Sequence, residues 1–312
     1  MSQNILVTGG AGYIGSILVP QLLRNGFSVT VLDNFMYKVN SLSSSCLNNN
    51  LEIIRGDIRD EKLLKKILHK FEYIIPLAAY VGAPLCDSDP FTSKQINQDA
   101  ALKIFDLISK DQKIIMPTTN SAYGRGDENN FCNEESPLNP ISSYAIQKVE
   151  VEKKLMEREN SVSFRLATVF GMSPKMRLDL LVNDFTYRAC NDGFIVLYEG
   201  HFKRNYIHVT DVAKSFIFCI NNFSKMKNNI FNVGLSEVNI SKFELCKLIQ
   251  KFIPKFYIEE AQLLKDKDQR NYIVSNKKIE LLGFKPDVSI ETGIRELIKG
   301  YVTLNDKPYR NI

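Results

Sequence analysis

The segment Thr8-Gly9-Gly10-Ala11-Gly12-Tyr13-Ile14-Gly15 stands between an apolar run, Asn4–Val7, and an amphipathic stretch, Gly12–Asn25. Glycines at this spacing between a strand and a helix leave few folds open. Gly9 permits a tight turn, Gly12 lets the backbone approach a pyrophosphate, and Gly15 allows the helix to pack closely on the strand. The helix N-terminus then offers free N–H groups and the positive end of its dipole to the phosphates. Tyr13 and Ile14 lie inside this turn and are expected beside the dinucleotide. The second strand, Ser28–Leu32, leads to Asp33, followed by Asn34. A carboxylate there would accept hydrogen bonds from adenosine ribose hydroxyls and repel a 2′-phosphate, so NAD is expected rather than NADP. Asp57 and Ile58 follow the third strand, where Asp57 would reach the adenine edge.

Beyond the turn, short apolar runs alternate with amphipathic stretches. Strand Leu51–Ile54, helix Glu61–Lys70, strand Tyr73–Leu77 and helix Thr92–Ser109 come first. Strand Lys113–Pro117, helix Ser143–Glu159 and strand Ser163–Val169 follow. Strands this apolar, alternating with helices, predict a parallel sheet covered on both faces. Pro20 falls inside the first helix, where a lost hydrogen bond costs up to ~3 kcal/mol. After Gly171 the pattern loosens into a loop (Met172–Arg177), a helix (Leu178–Cys190) and a strand (Phe194–Tyr198). A strand–helix pair at Asn205–Val209 and Asp211–Asn221 is expected to rejoin the sheet. Short strands (Ile230–Val233, Phe256–Glu259, Tyr272–Val274) and helices (Ser241–Phe252, Lys277–Leu282, Ile290–Thr303) complete the chain. The expected fold is α/β: a Rossmann-type doubly wound parallel sheet with a smaller mixed α/β substrate-binding domain. Residues 1–170 with 205–221 would form the first domain, and 171–204 with 222–312 the second.

Composition excludes several classes. At 312 residues the chain is long enough for about two domains. A net charge of +5 with 24% charged residues is too slight for a nucleic-acid-binding protein. No apolar run reaches membrane-spanning length, and Met1–Asn4 lacks the basic and apolar regions of a signal peptide. Cys46, Cys86, Cys132, Cys190, Cys219 and Cys246 are far apart, which predicts reduced, buried thiols in a cytoplasm. His69, His201 and His208 form no ligand pattern, so no metal is expected.

Tyr144-Ala145-Ile146-Gln147-Lys148 sets a phenol and an ammonium one helical turn apart on one face. Of the 13 tyrosines, only this one has a lysine four residues on. Upstream, Thr119 ends a strand and is followed by Asn120, Ser121, Ala122, Tyr123 and Gly124. The glycine turn, the Tyr-x-x-x-Lys pair, the Thr-x-x-x-Tyr-Gly segment and Lys203–Val209 with Asp211 together resemble the extended short-chain dehydrogenase/reductase family of nucleotide-sugar enzymes. The resemblance covers nearly the whole chain. It implies that Tyr144, as a phenolate, takes the proton from a sugar hydroxyl while the carbon gives hydride to NAD. A free phenol has a pKa near 10, so working near pH 7 needs a shift of about 3 units, for which Lys148 and the positive nicotinamide are the expected sources. Thr119 would orient the same hydroxyl.

The resemblance also implies a cofactor role for Leu77, Ala78 and Ala79, and substrate roles for Val81, Asn120, Ser121, Asn183 and Arg204. Arg204 matches the arginine that holds the sugar-nucleotide diphosphate in relatives, a role suited to a bidentate guanidinium. Arg270 would meet a second phosphate or a ribose, with a surface salt bridge as the alternative; Arg177 is a further candidate. Asn97 resembles the family's helix asparagine, near the cofactor or simply packed. A homodimer through Thr92–Ser109 and Ser143–Glu159 is implied as well.

Departures from the family pattern narrow the reaction. Dehydratases carry an acid and a base directly after the Thr119 position, whereas here stand Asn120 and Ser121, which transfer no protons near neutral pH. Decarboxylases place a carboxylate where Ser121 stands, and 3,5-epimerase/reductases a cysteine. What remains is oxidation or reduction of a sugar carbon, or 4-epimerisation. Leu77–Cys86, the Thr-Thr-Asn-Ser segment and Phe164–Phe185 resemble the GDP-heptose 4-dehydrogenases of bacterial capsule pathways. That likeness implies C4 oxidation of GDP-D-glycero-D-manno-heptose, with 2-oxoglutarate recycling a tightly held cofactor. A 4-epimerase and a catalytically silent NAD-binding protein are the alternatives.

Overall fold

In the computed structural model, which describes residues 3–125, 131–261 and 270–304, the N-terminal apolar run becomes β1 (Asn4–Thr8). There follow α1 (Gly15–Arg24), β2 (Ser28–Asp33), β3 (Leu51–Arg55), α2 (Glu61–Ile67) and β4 (Tyr73–Pro76). Then come α3 (Ala83–Ser88), α4 (Pro90–Lys94), α5 (Ala100–Leu107), β5 (Lys113–Thr119), α6 (Ser143–Leu155) and β6 (Ser161–Leu166). The second part holds β7 (Thr168–Phe170), α7 (Leu181–Asn191), β8 (Phe194–Tyr198), β9 (Lys203–His208), α8 (Val209–Asn221) and α9 (Phe223–Met226). It closes with β10 (Asn229–Val233), β11 (Asn239–Ser241), α10 (Lys242–Phe252), β12 (Tyr257–Ala261), α11 (Lys277–Glu280) and α12 (Ile290–Tyr301).

Seven parallel strands form the main sheet in the order β10-β6-β5-β4-β1-β2-β3. Because side chains alternate across a strand, Ile5 and Val7 enter one core with α1 and α8 while Leu6 enters the other with α2, α5 and α6. The order reverses between β1 and β4, and the crevice at the strand C-termini there is where such sheets take ligands. A third core lies outside the sheet, between α7, α10 and α12 and a three-stranded sheet ordered β11-β9-β7. A two-stranded pair, β12-β8, lies beside it.

Several elements differ from expectation. The first helix begins at Gly15, because the residues from Gly12 are spent on the turn, and it runs through Pro20. The strand expected over Ser163–Val169 splits: β6 ends at Leu166, and β7 leaves to pair with β9. The helix expected over Thr92–Ser109 becomes α4, a π-turn over Gln95–Asp99, and α5. Asn97, inside that turn, bonds both backbone groups of Tyr80, at 2.8 and 2.9 Å, which draws the helix out of regular register. Of the pair expected to rejoin the sheet, α8 packs on α1, whereas strand β9 joins the small sheet and β10 fills the seventh place. Tyr272–Val274 forms no strand, only isolated bridges, Arg125 to Asn271 just before it and Cys132 to Val274 at its end. No cysteine is paired, but Cys46 and Cys190 are exposed rather than buried.

One buried ion pair ties α6 to the sheet. Glu152 and Arg165 approach to 2.6 Å with side chains only 5% and 4% exposed. Thr118 and Ser163 donate to the same carboxylate at 2.9 and 2.6 Å. Removing one partner of such a pair costs about 3–5 kcal/mol, because the other charge is left buried alone. Urea denaturation of Glu152→Leu is therefore expected to show a loss of that order, much of it recovered in Glu152→Leu/Arg165→Met.

Candidate active site

The glycine turn is built by contact rather than by flexibility. Gly9 has φ +67°, and a Cβ there would lie 2.5 Å from the Ala78 nitrogen. A Cβ on Gly15 would meet the Gly10 backbone at 2.5 Å, so β1, β4 and α1 close on one another only with hydrogen at these positions. Asp33 braces the turn: its carboxylate accepts from the Ala11 N–H at 3.0 Å and the Phe35 N–H at 2.8 Å. Burial pushes this carboxyl upward, opposed by those backbone bonds.

In front of the turn opens a cleft of ≈ 690 Å³, counted out to solvent. Gly9, Gly12, Asp33, Asn34, Asp57, Ile58, Leu77, Ala78 and Ala79 line it. Asp57 is spanned by Arg59, whose Nε and Nη2 bond its two oxygens at 2.9 and 2.8 Å and hold its pKa down at about 2. Tyr13, Ile14 and Gly15 are absent from the lining. The Tyr13 ring points into the third core, where its hydroxyl donates to the Gly171 carbonyl at 2.7 Å. Ile14 packs between two cores. Tyr37, Tyr80, Ile96 and Lys175 also line the cleft and carry no spacing signal in the sequence. A narrow glycine cradle, a carboxylate at the end of β2 and a buried Tyr37 hydroxyl without a partner fit a dinucleotide.

Beside the cleft, β5 delivers Thr119, whose hydroxyl accepts the Ser121 N–H at 3.1 Å and starts a 3₁₀ turn. Opposite, Ser142 caps α6 by accepting the Ala145 N–H at 3.3 Å. One turn apart on that helix, the Lys148 ammonium lies 6.0 Å from the Tyr144 ring centroid. Burial pushes the Tyr144 phenol up to about 12, with Cys86 adding to it and Arg177 and Arg270 opposing. Burial also pulls Lys148 down to about 8. Desolvation thus outweighs the cationic side chains around this phenol, and a downward shift toward neutral pH falls to the bound nicotinamide.

Asn120 is 1% exposed, and both ends of its amide lack a protein partner. Arg270 donates to the Ser121 hydroxyl, and its carbonyl accepts from Arg204. Arg204 also bonds the Lys203 carbonyl at 2.8 Å and lies 5.5 Å over the Tyr272 ring, so it shapes the segment that carries Arg270. Arg177 donates to the Val81 carbonyl at 3.3 Å and is ion-paired with Asp179. Asn183 is fully buried and spends its amide on Gly171, Arg177 and Tyr13, apart from Thr119 and Ser121. Asn97 links Tyr80 to Gln147 of α6, the Gln147 contact at 3.0 Å. Among the described residues no group of His, Cys, Asp and Glu side chains could hold a metal ion, and no helix is long and apolar enough to cross a membrane.

The sequence profile of the NAD dependent epimerase/dehydratase family matches residues 5–234. A putative UDP-glucose 4-epimerase of Methanocaldococcus jannaschii is 29% identical, covering 94% of this chain and 97% of its own length. The crystal structure of a Thermotoga maritima UDP-glucose 4-epimerase with UDP-glucose superposes with a TM-score of 0.80 at 28% identity, over 96% of this chain and 99% of that one. A Thermus thermophilus UDP-glucose 4-epimerase solved with NAD shares the fold, with a TM-score of 0.82 at 24% identity over 96% and 99% of the two chains.

Lys148 makes a pH signature. A lysine titrates near ~10.4 in the unfolded chain and at about 8 here. Between those values the unfolded state binds more protons, so stability rises with pH across this window. Above pH ~10 Tyr144 acts in the opposite sense, since its folded pKa lies above the unfolded one. Urea midpoints measured from pH 7.5 to 9.5 are expected to rise more steeply for the parent than for Lys148→Met. Lys175, also held at about 8, is common to both proteins and cancels.

Proposed function

The chain belongs to the NAD-dependent epimerase/dehydratase family, and on that premise we propose that it oxidises the C4 hydroxyl of a nucleotide-activated sugar to a ketone. The observation that carries this reading is the packing of α6, which bears Tyr144 and Lys148, against β5, which ends in Thr119, and the Asn120–Tyr123 turn, where Asn120 and Ser121 provide no acid–base pair for dehydration. When bound, NAD supplies the hydride acceptor. The Tyr144 hydroxyl takes up the proton of the sugar hydroxyl once ionised, and the Lys148 ammonium on the same helix face offsets the charge. Thr119 already accepts the Ser121 N–H, which leaves its own hydrogen to donate to the sugar oxygen and hold it in line. Arg270, anchored by Arg204 and Ser121, offers a cation for the diphosphate, and the partnerless Asn120 amide offers a donor and an acceptor to the bound sugar nucleotide.

For the substrate we take GDP-D-glycero-D-manno-heptose, with a 2-oxo acid such as 2-oxoglutarate reoxidising the retained cofactor. The likeness of Leu77–Cys86 and Phe164–Phe185 to capsule-pathway 4-dehydrogenases supports this. The same reading has the protein act in the cytoplasm as a homodimer through α4–α5 and α6, where Phe91 and Ile146 are exposed. A second reading, 4-epimerisation, uses the same three residues and is supported by relatives that bear that name. Incubation with GDP-heptose, with and without 2-oxoglutarate, followed by chromatography and mass spectrometry, separates the two. A product two mass units lighter supports oxidation, and an isomer of equal mass supports epimerisation. Tyr144→Phe is expected to bind NADH with parental affinity, read by nicotinamide fluorescence, and to lose roughly 100-fold or more in turnover. Turnover retained in that variant would overturn the phenol's role.

A further inference from the structure

Two loops reach over the cofactor cleft from opposite sides, and both are pinned to the glycine turn. After β7, Ser173 bonds the Ser16 hydroxyl and the Tyr13 carbonyl, each at 2.8 Å, and so fixes the loop against the first turn of α1. Two residues on, Lys175 enters the cleft; two further, Arg177 is tied to Val81 on the far side. After β2, Phe35 and Lys38 take left-handed conformations (φ 55° and 52°) that turn Tyr37 inward, and Ser41 secures the end of this loop on the Ala11 carbonyl at 2.7 Å. The loops meet where the Lys175 ammonium lies 3.8 Å from the Tyr37 ring centroid.

We infer that Lys175 and Tyr37 form a clasp across this cleft that engages the diphosphate of the bound dinucleotide and retards its release. Three features carry this. Lys175 is only 4% exposed yet lines the same cleft as Gly9 and Gly12, so its charge faces the side where backbone N–H groups and the helix dipole favour an anion. The Tyr37 hydroxyl is buried without a protein partner and gains one when a polar ligand fills the cleft. The ammonium–ring contact fixes the direction of an otherwise flexible lysine, an interaction that strengthens with desolvation. Burial and Arg177 pull the Lys175 ammonium down to about 8, a bias that an anionic partner reverses. Entry and exit of the cofactor then require the two loops to part.

The inference rests on NAD binding and is independent of the sugar. NADH release from the parent protein, from Lys175→Met and from Tyr37→Leu is followed by stopped-flow fluorescence after mixing with excess NAD, with thermal unfolding as the check on folding. Dissociation is expected to accelerate about tenfold or more in each variant, with the double variant no faster than the worse single one, since the pair acts as a unit. Affinities for ADP and adenosine are measured alongside: Lys175→Met is expected to weaken ADP and leave adenosine unchanged. Parental release rates and an unchanged ADP-to-adenosine ratio in folded variants would overturn the clasp. Equal weakening of ADP and adenosine would reduce Lys175 to a packing residue and overturn it too. Should Lys175→Met fail to fold, Tyr37→Leu, altered on a surface loop, decides by release rate alone. Failure of the parent itself to bind NADH or ADP would strike the cofactor reading instead.

Discussion

The alignment of the site depends on one buried carboxylate. Glu152 lies one turn beyond Lys148 on α6 and gathers donors from two strands: Thr118 of β5, and Ser163 and Arg165 of β6. Thr118 directly precedes Thr119, so the group that fixes the helix also fixes the strand end facing it. Charge-assisted bonds in a low-dielectric interior are short and directional. Such a pair adds geometry more than net stability, because desolvation consumes most of its attraction. Tyr144 and Lys148 sit in the preceding turns, where the N-cap at Ser142 and the clamp at Glu152 bracket them.

The glycine turn serves the second half of the chain as well as the dinucleotide. Tyr13 leaves the turn for the third core and bonds Gly171, where the chain has just left the sheet for the small one. Asn183 of α7 donates to the same phenol at 3.3 Å, and Ser173 joins Ser16. The second half of the chain is thus set in register from the glycine turn itself. A side chain inside a cofactor motif need not face the cofactor; here it joins the two halves.

Much of this architecture is legible along the chain. The turn, Asp33, and the Tyr144–Lys148 pair depend on local spacing, and their elements form where the hydrophobic pattern places them. The misreadings share one cause. Leu166 and Thr168 stand two residues apart in one expected strand, yet they belong to different sheets, and pairing is a property of distant partners. The helix expected over Thr92–Ser109 looks continuous until the Asn97 amide finds the Tyr80 backbone. Asn183 and Tyr13 look available for ligands until burial assigns them to each other.

By itself the sequence determined the cofactor turn, the parallel sheet and the placing of Tyr144 and Lys148 on one helix face, because these follow from residues within a turn or two of one another. Tertiary structure alone decided the rest. It chose which side chains face the cleft, brought Lys175 against Tyr37 and Arg204 against Arg270, and buried the Tyr144 phenol, which pushes its pKa upward. The reason is physical: proximity across the fold and loss of water are collective effects of packing, and no local pattern encodes them.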